Sequence, residues 1–458
     1  MTTPQTKPPA TPTYILRGHA AQIHSLHIYH HNLRLVSGDA DGWIAVWDLV
    51  SKRPVAVWKA HDGAVLGVHA RFRGGGSSGV TEVFTHGRDH KLRVWRFSVA
   101  EEVDLRRGLP VDSLGGQGGG AGRQPWLVHS LPVNALNFCA FAWVDLAPLL
   151  SVSLDGDGGG DGGAEAEPEP PSRDNSPSPV LIAVPNALNS GAIDLFHLPT
   201  ERRVCTIPAD GDVKTGMVMA LTLFPGPEGR DLHVAAAYED GSVMVFRSPV
   251  PLQGLGPQQQ QQQQGLAAGT WKWEKLYASR AHDQPVLSID AAPSGEWMFS
   301  SAADAKVVMH PFLPKGSVGP GGRGQPVKVV KTRHAGQQGL RVRSDGRILA
   351  TAGWDSRVRV YSCKTLKEVA VLKWHKEGCY AVAFAGVGTG DWDGEEGEGE
   401  GDGEGEGVGS SERTLTGLNG RGGGLAAVHR RLRNHKVQNT HWLAAGSKDG
   451  KISLWDIY

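Results

Sequence analysis

Cysteine is scarce in this chain, and its placement argues against two kinds of stabilising chemistry. The four cysteines, Cys139, Cys205, Cys363 and Cys379, are spread over 458 residues without any CxxC spacing. This pattern favours neither a zinc site nor a disulfide framework, and a reducing compartment is the simpler expectation. No metal or cofactor site is predicted.

Long apolar runs are also missing. The first 13 residues, MTTPQTKPPATPT, contain no apolar run, so they do not resemble a secretory signal. The longest apolar stretch, Val133–Leu154, is interrupted by Asn134, Asn137, Asp145 and Pro148, which makes it a poor membrane span. We therefore expect a soluble intracellular protein without membrane contact.

Charge of one sign is absent overall, but the zero net charge hides an uneven distribution. Segment 151–179 has seven acidic residues and one basic residue, and segment 387–428 has ten and two. The remainder of the chain then holds 44 basic and 30 acidic residues. A basic body with acidic loops could approach an acidic partner, although solubility is the favoured explanation and direct nucleic-acid binding is not expected.

Tryptophan, in contrast, is abundant, and it recurs at the ends of short strands. The chain has 14 Trp against 7 Tyr, together with 62 Gly and 28 Pro, which indicates many turns. The segment Leu33–Asp48, LRLVSGDADGWIAVWD, is typical of two strands joined at Asp41-Gly42. A GH pair at Gly18-His19 precedes it, and it closes on the pair Trp47-Asp48. GH followed by WD in a unit of roughly 40–45 residues indicates a β-propeller blade.

The unit recurs seven times, so we predict an all-β, seven-bladed WD-repeat β-propeller over residues 13–458, after a disordered tail at 1–12. The strand at 13–17 should complete the last blade and close the ring, which removes an exposed sheet edge. The inner strand of the third blade is predicted at Val133–Phe141. The predicted blades lie near 19–58, 61–129, 133–207, 217–278, 282–331, 334–372 and 375–458. Long disordered insertions are predicted at 99–125, 151–179, 248–270, 313–326 and 387–428.

A second recurring pattern lies inside the blades. The pattern resembles the WD-repeat family, in which the GH histidine, a strand Ser or Thr, the turn Asp and the Trp form a hydrogen-bonded tetrad. Because buried polar groups must be satisfied, each set should lock a turn to the preceding loop. The predicted tetrad residues are His19, Ser37, Asp41 and Trp47; His61, Thr85, Asp89 and Trp95; His282, Ser300 and Asp304; His334, Thr351 and Asp355; and His375, Asp449 and Trp455.

A catalytic Ser-His-Asp triad is the functional alternative for these sets. The recurrence of the same set argues against it, because an enzyme needs one site whereas a scaffold needs the same brace in every blade. Other motif matches, such as Gly75–Gly79 for GxSxG, lack the helix that a nucleophile elbow requires. We therefore predict no enzymatic activity and no catalytic residue.

All five predicted insertions should emerge on one face of the propeller, since each follows a first or a third strand. The opposite face, which keeps short loops, is the expected docking surface. The residue before each turn Asp should line it. Among Ala40, Arg88, Glu239, Ala303, Trp354 and Lys448, the best anchors are Trp354 and Arg88, and surface residues without a role are the alternative.

The whole chain resembles the fungal ASTRA-associated protein 1 family, a WD-repeat subunit of the ASTRA complex. The resemblance rests on the segments PTYILRGHAAQIHSLHIY, RPVAVWKAHDGAVLGV and HWLAAGSKDGKISLWDIY. It implies a nuclear, non-catalytic scaffold linked to chromatin remodelling and to the assembly of large kinase-related proteins. The implied partners are RuvB-like AAA+ ATPases, cochaperone subunits that help kinases mature, and a large kinase-related scaffold.

Two other classes of WD-repeat protein remain open. Substrate receptors of cullin-type ubiquitin ligases often carry WDxR at a strand end, but here the ends are Trp47-Asp48-Leu49-Val50 and Trp455-Asp456-Ile457-Tyr458. A G-protein β-like signalling scaffold would need a coiled-coil segment before the first blade, and residues 1–13 are too short and proline-rich to supply it.

Overall fold

The computed structural model describes residues 10–75, 78–113, 122–134, 139–146, 178–226, 231–248, 271–312, 324–388 and 425–457. Most of the predicted insertions at 151–179, 248–270, 313–326 and 387–428 lie outside these residues, as does most of the predicted tail.

The described residues form seven four-stranded antiparallel sheets, which confirms the seven-bladed β-propeller. Blades one and two comprise β2 Ile23–Tyr29, β3 Arg34–Asp39, β4 Trp43–Asp48, β5 Arg53–Lys59, β6 Val65–Arg73, β7 Val80–Gly87, β8 Lys91–Ser98 and β9 Trp126–Pro132. Blades three and four comprise β10 Ala142–Asp145, β11 Val180–Pro185, β12 Ile193–Leu198, β13 Arg202–Ile207, β14 Val218–Pro225, β15 Leu232–Tyr238, β16 Ser242–Ser248 and β17 Glu274–Arg280.

The remaining three blades follow the same order, from an inner to an outer strand. They comprise β18 Val286–Ala291, β19 Trp297–Ala302, β20 Lys306–Pro311, β21 Lys328–Lys331, β22 Gln337–Val342, β23 Ile348–Gly353, β24 Arg357–Ser362, β25 Glu368–Lys373, β26 Cys379–Phe384, β27 Trp442–Ser447 and β28 Lys451–Asp456. Strand β1, Tyr14–Arg17, pairs with β28 and supplies the outer strand of blade seven. The two ends of the chain therefore close the ring in one sheet.

The hydrophobic core is divided among the interfaces between neighbouring blades. One cluster joins Trp47 and Val57 of blade one to Leu454 of blade seven, and the next joins Trp58 of blade one to Trp95 of blade two. Because each blade is covered on both faces, strands such as β15, LHVAAAY, are buried along their whole length. The inner strands of six blades, together with Ala140 and Phe141 just before the inner strand of blade three, line an axial cavity of about 330 Å³.

Turn geometry explains why glycine follows the turn aspartate in several blades. Gly42 has φ +86°, and a Cβ atom there would lie 1.9 Å from the carbonyl oxygen of His61. Gly241 repeats this arrangement against His282, with a φ of +92°. Both positions need a left-handed backbone and a close approach to the link that follows, and only glycine provides both without strain.

Three local predictions differ from the structure. The inner strand of blade three is Ala142–Asp145, so its prediction at Val133–Phe141 was wrong. Within insertion 99–125, residues Ala100–Val103 form a 3-10 turn and Pro110–Ser113 a short helix, α1. Leu105 is buried in the core between blades one and two, and Leu109 packs against the first blade, so this part is an ordered clasp.

A third difference lies at the end of insertion 387–428. A 14-residue helix, α2, spans Leu425–Gln438 and leads into β27. Val437 is buried, and its carbonyl accepts a hydrogen bond from Nε1 of Trp442. The sequence pattern did not predict this helix, because the segment before it is rich in glycine and glutamate and gives no helix start signal.

The strand order places the predicted insertions as expected. Those at 151–179 and 387–428 connect first to second strands, and those at 99–125, 248–270 and 313–326 connect third to outer strands. All five connections lie on one face of a propeller. The other face carries the links between blades and the turns between second and third strands, and we call it the short-loop face.

Candidate functional site

The tetrad of blade two is complete and lies directly beneath the short-loop face. His61 Nδ1 lies 2.8 Å from Asp89 Oδ1, and its Nε2 lies 2.8 Å from Thr85 Oγ1. Trp95 Nε1 donates to the same hydroxyl at 3.0 Å. Burial alone would raise the pKa of Asp89, but its contacts with His61 and Arg93 outweigh this and hold the pKa below its usual value.

Blade five forms an equivalent network with a histidine in place of the tryptophan. His282 contacts Asp304 at 3.0 Å and Ser300 at 2.8 Å. His310 Nε2 lies 2.7 Å from the same serine hydroxyl, and its Nδ1 lies 3.0 Å from the Tyr277 hydroxyl. Burial lowers the pKa of His310 to about 3, so this ring is neutral at physiological pH.

In blade one, the carboxylate of the tetrad comes from Asp39, and the prediction of Asp41 was wrong. His19 Nδ1 lies 2.7 Å from Asp39 Oδ2, while its Nε2 lies 2.7 Å from Ser37. Asp39 occupies the strand position that Gly87 fills in blade two, where a Cβ would lie 2.3 Å from the ring of His61. A carboxylate there reaches the histidine first, and Asp41 is left exposed at the turn.

Blade seven builds its network with a hydroxyl from the neighbouring strand. The position of the strand Ser or Thr is Ala445, whose cross-strand partner is Ser453. His375 Nε2 lies 2.8 Å from Ser453 Oγ, and Trp455 Nε1 donates to the same oxygen at 2.8 Å. Asp449 completes the set at 3.3 Å from His375 Nδ1. The tetrad hydroxyl of blade seven therefore comes from the cross-strand neighbour Ser453, and the tetrad is still complete.

Blade six departs from the prediction, because His334 does not enter the tetrad. Its side chain is 42% exposed, and Nδ1 lies 3.7 Å from Asp355 Oδ2, beyond hydrogen-bonding distance. Thr351 is buried near the place that the histidine fills in other blades. Asp355 instead accepts two hydrogen bonds from Arg359, at 3.1 and 2.5 Å. Burial would raise the pKa of Asp355, but these bonds outweigh it and the pKa is lowered.

The short-loop face exposes four of the predicted docking residues. Arg88, Glu239, Trp354 and Lys448 are exposed at the turns of blades two, four, six and seven. Trp354 is 49% exposed, and its ring packs over Gly336 while Nε1 donates to Gln338 Oε1 at 2.7 Å. These contacts fix the indole in one orientation, as an anchor residue requires. Ala40 and Ala303 are half-buried and offer little surface.

Two apolar residues on this face were missed by the sequence analysis. Leu188 is 97% exposed at the turn between β11 and β12, and Val213 is 38% exposed in the link between blades three and four. The signal for Leu188 was a single leucine among polar turn residues, NALNS. Together with Trp354, they give the short-loop face apolar contact points in addition to its charges.

Comparisons with known proteins identify the family. A model described as "WD domain, G-beta repeat" matches residues 10–48, 273–310, 324–362 and 430–456. The chain is 59% identical to ASTRA-associated protein 1 of Aspergillus niger, over 99% of this chain and 98% of that protein. It is 58% identical to the Aspergillus flavus protein of the same name over the full length of both. The Schizosaccharomyces pombe protein of that name is 31% identical over 82% of this chain and 93% of its own length.

The chain belongs to the ASTRA-associated protein 1 family. The WD-repeat matches fall on blades one, five, six and seven of this family member, whereas blade two, blade three and the first three strands of blade four lie outside them. In blade three, Asn186 donates to both carboxylate oxygens of Asp194, and Thr206 donates to Asp194 at 2.5 Å. In blade four, Asp240 accepts from Ser242 at 2.8 Å. These blades close their turns with other polar networks.

The tetrads of this ASTRA-associated protein 1 family member are braces without solvent access. Ser37 and Thr85 are fully buried, so their hydroxyls cannot meet a substrate. The four cysteines are buried free thiols, and burial raises the pKa of Cys205, Cys363 and Cys379 to about 12. Within the described ranges, no group of His, Cys, Asp and Glu could hold a metal ion, and no helix could span a membrane.

Proposed function

We propose that this protein is a non-catalytic scaffold subunit of the ASTRA complex, working in the nucleus. The observation that carries the proposal is full-length similarity to proteins named ASTRA-associated protein 1 on a closed WD-repeat propeller. The recurrence of buried braces in place of a single reactive centre supports a non-catalytic role.

We further propose that the protein acts in chromatin remodelling and in the assembly of large kinase-related proteins. Its partners would be RuvB-like AAA+ ATPases, kinase-maturation cochaperone subunits and a large kinase-related scaffold. Partner proteins would dock on the short-loop face, where Trp354 and Arg88 are exposed, as are Leu188 and Lys448. A tryptophan held by a hydrogen bond and an arginine are the residue types that anchor protein interfaces.

A tagged pull-down from nuclear extract tests both parts of the proposal. The wild-type protein should recover the AAA+ ATPases and the kinase-assembly subunits. The double variant Trp354→Ala with Arg88→Ala should lose them, whereas Val369→Ala, an exposed apolar residue on the outer strand of blade six, serves as the matched control. Recovery of cullin adaptors or G-protein subunits instead would refute the ASTRA assignment, and undiminished recovery by the double variant would refute the docking face.

A further inference from the structure

The histidine of blade six lies one residue too late in the chain to enter its tetrad. Two backbone hydrogen bonds frame the link before each blade. In blade two they are Ala60 N to Gly42 O and Arg88 N to Ala64 O, and in blade six Thr332 N to Ala305 O and Trp354 N to Gly336 O. The link residues between these two hydrogen bonds, 60–64 in blade two and 332–336 in blade six, are equal in number. Arg333 therefore holds the position of His61, and His334 holds that of Asp62.

This shift leaves a hollow beneath the turn of blade six. Its volume is about 480 Å³, and its lining includes Asp355, which directly follows the exposed Trp354 in the chain. Arg333, which has φ +64°, is exposed on the surface and does not fill it. The hollow is lined by Val371 and by six polar or charged residues, His334, Asp355, Arg357, Arg359, Glu368 and Lys373. We call it the blade-six notch.

The charges of the blade-six notch are only partly compensated. Arg359 donates hydrogen bonds to Asp355, and the carboxylate of Glu368 lies 3.6 Å from Arg359 Nε. Arg357 and Lys373 are direct cross-strand partners at the rim of the notch. Arg357 Nε lies 3.9 Å from Asp355, and Lys373 has no ion pair among the described residues. Like charges facing each other across a ladder destabilise a sheet unless an anion lies between them.

Blade five shows what neutralises the same pair of positions. There the cross-strand pair is Lys306 and Lys331, and Asp283 Oδ2 lies 2.8 Å from Lys306 Nζ. Asp283 follows the tetrad histidine His282 directly, so it corresponds to His334 in blade six. The shift of the histidine by one residue has thus removed the carboxylate that this site carries in blade five.

We propose that the blade-six notch binds a carboxylate from an acidic segment of a protein partner, next to an apolar side chain that packs on Trp354. The incoming carboxylate would take the place that Asp283 fills in blade five and would lie between Arg357 and Lys373. Arginine and lysine bind carboxylates with charge-assisted hydrogen bonds. The inference deepens the docking role proposed above and depends on it, because it names the chemistry of the partner on the short-loop face.

The first test uses the whole protein and a fluorescein-labelled peptide, Glu-Glu-Leu-Glu-Glu, in an anisotropy titration at low salt. The variant Arg357→Glu with Lys373→Glu should weaken binding at least about tenfold, since two attractive charges are reversed. Lys91→Glu is the matched control, because Lys91 holds the position of Arg357 in blade two, where the histidine closes the tetrad. It should change binding less than about twofold.

A second variant removes the site by restoring the brace. Arg333→His with His334→Asp recreates the Ala-His-Asp order of Ala281-His282-Asp283, apart from a threonine in place of the alanine. The new histidine would enter the hollow and the new aspartate would neutralise Arg357. Peptide binding should again fall at least about tenfold, without loss of the folded state by circular dichroism.

Three outcomes would overturn the proposal. A free-energy loss for Lys91→Glu of half the loss for the double charge reversal or more would show non-specific attraction, because Lys91→Glu reverses one charge and the double variant reverses two. Unchanged binding by Arg333→His with His334→Asp would exclude the notch. Stronger competition by inorganic phosphate or a 15-base-pair DNA duplex than by unlabelled peptide would assign the site to phosphate ligands. If either notch variant keeps full partner recovery while Trp354→Ala with Arg88→Ala loses it, the docking face stands and only the notch is refuted.

Discussion

Blades two and six carry nearly the same residues at the same ladder positions, yet one is closed and the other open. Both have a threonine opposite an arginine across the ladder, Thr85 with Arg93 and Thr351 with Arg359, and both have the turn aspartate four residues after the threonine. In blade two the histidine is buried between aspartate and threonine, whereas in blade six it is 42% exposed. A one-residue offset in the link therefore decides whether this part of a blade is a brace or a binding surface.

Removing the two histidines should give the largest contrast. His61→Ala removes the buried hydrogen bonds of the ring to Asp89 and Thr85 and leaves a cavity, so it should lower the free energy of unfolding by about 3 kcal/mol. His334→Ala removes a half-exposed ring without a close hydrogen bond and should cost less than about 0.5 kcal/mol. Urea unfolding followed by tryptophan fluorescence measures both. Equal costs would mean that blade six is braced by its histidine after all.

The same reasoning applied to blade one separates two aspartates. Asp39 is fully buried, and besides His19 it accepts from the backbone N–H groups of Asp41 and Trp43. In Asp39→Asn the amide oxygen can keep both backbone N–H groups, but an NH2 group then replaces the carboxylate oxygen that faces His19 Nδ1, which should cost about 2 kcal/mol. Asp41→Asn, at the exposed turn position, should be close to neutral. A larger cost for Asp41→Asn would restore the sequence-based assignment of the tetrad.

The sequence pattern predicted the ring because it repeats, and it missed the places where the repeat is offset. The WD pairs, the GH pairs and the strand at 13–17 lead to seven blades and to the closure. Asp39 could not be distinguished from Asp41 by spacing, since two carboxylates flank one turn and burial decides between them. Ser453 replaces the hydroxyl missing at Ala445, which only the cross-strand register reveals.

The only sign of the notch in the sequence is the number of residues between the histidine and the inner strand that follows it. His19, His61, His282 and His375 each lie four residues before the first residue of the inner strand, whereas His334 lies three before Gln337. Strand boundaries cannot be placed from sequence to one residue, so this difference carried no weight alone. Helix α2 and the clasp at Leu105 and Leu109 follow tertiary packing that no local pattern encodes.

Restoring the register of blade six should stabilise the protein. In Arg333→His with His334→Asp, a histidine can reach Asp355 and Thr351 if residue 333 leaves the left-handed region, where none of the tetrad histidines of the other blades lies. Two new buried hydrogen bonds should add about 1–2 kcal/mol to the free energy of unfolding. The control variant Arg333→Ala with His334→Ala should not gain this stabilisation, because alanine forms neither hydrogen bond. A destabilised double variant in urea unfolding would show that the link of blade six cannot hold a brace.

The smallest effect concerns pH and compares blade five with blade two, where Trp95 occupies the position of His310. Burial lowers the pKa of His310 to about 3, with His282 adding to the shift, whereas an unfolded histidine titrates near about 6.5. Between these values the unfolded chain binds a proton that the native chain does not. The stabilisation is therefore complete above about pH 6.5 and is lost as the pH falls towards 3.

His310→Gln keeps hydrogen-bonding groups beside Ser300 and Tyr277 but cannot titrate. Between pH 6.5 and 5.5, its free energy of unfolding should fall by about 1 kcal/mol less than that of the wild type. Identical pH slopes in urea unfolding would mean that His310 is protonated in the folded blade.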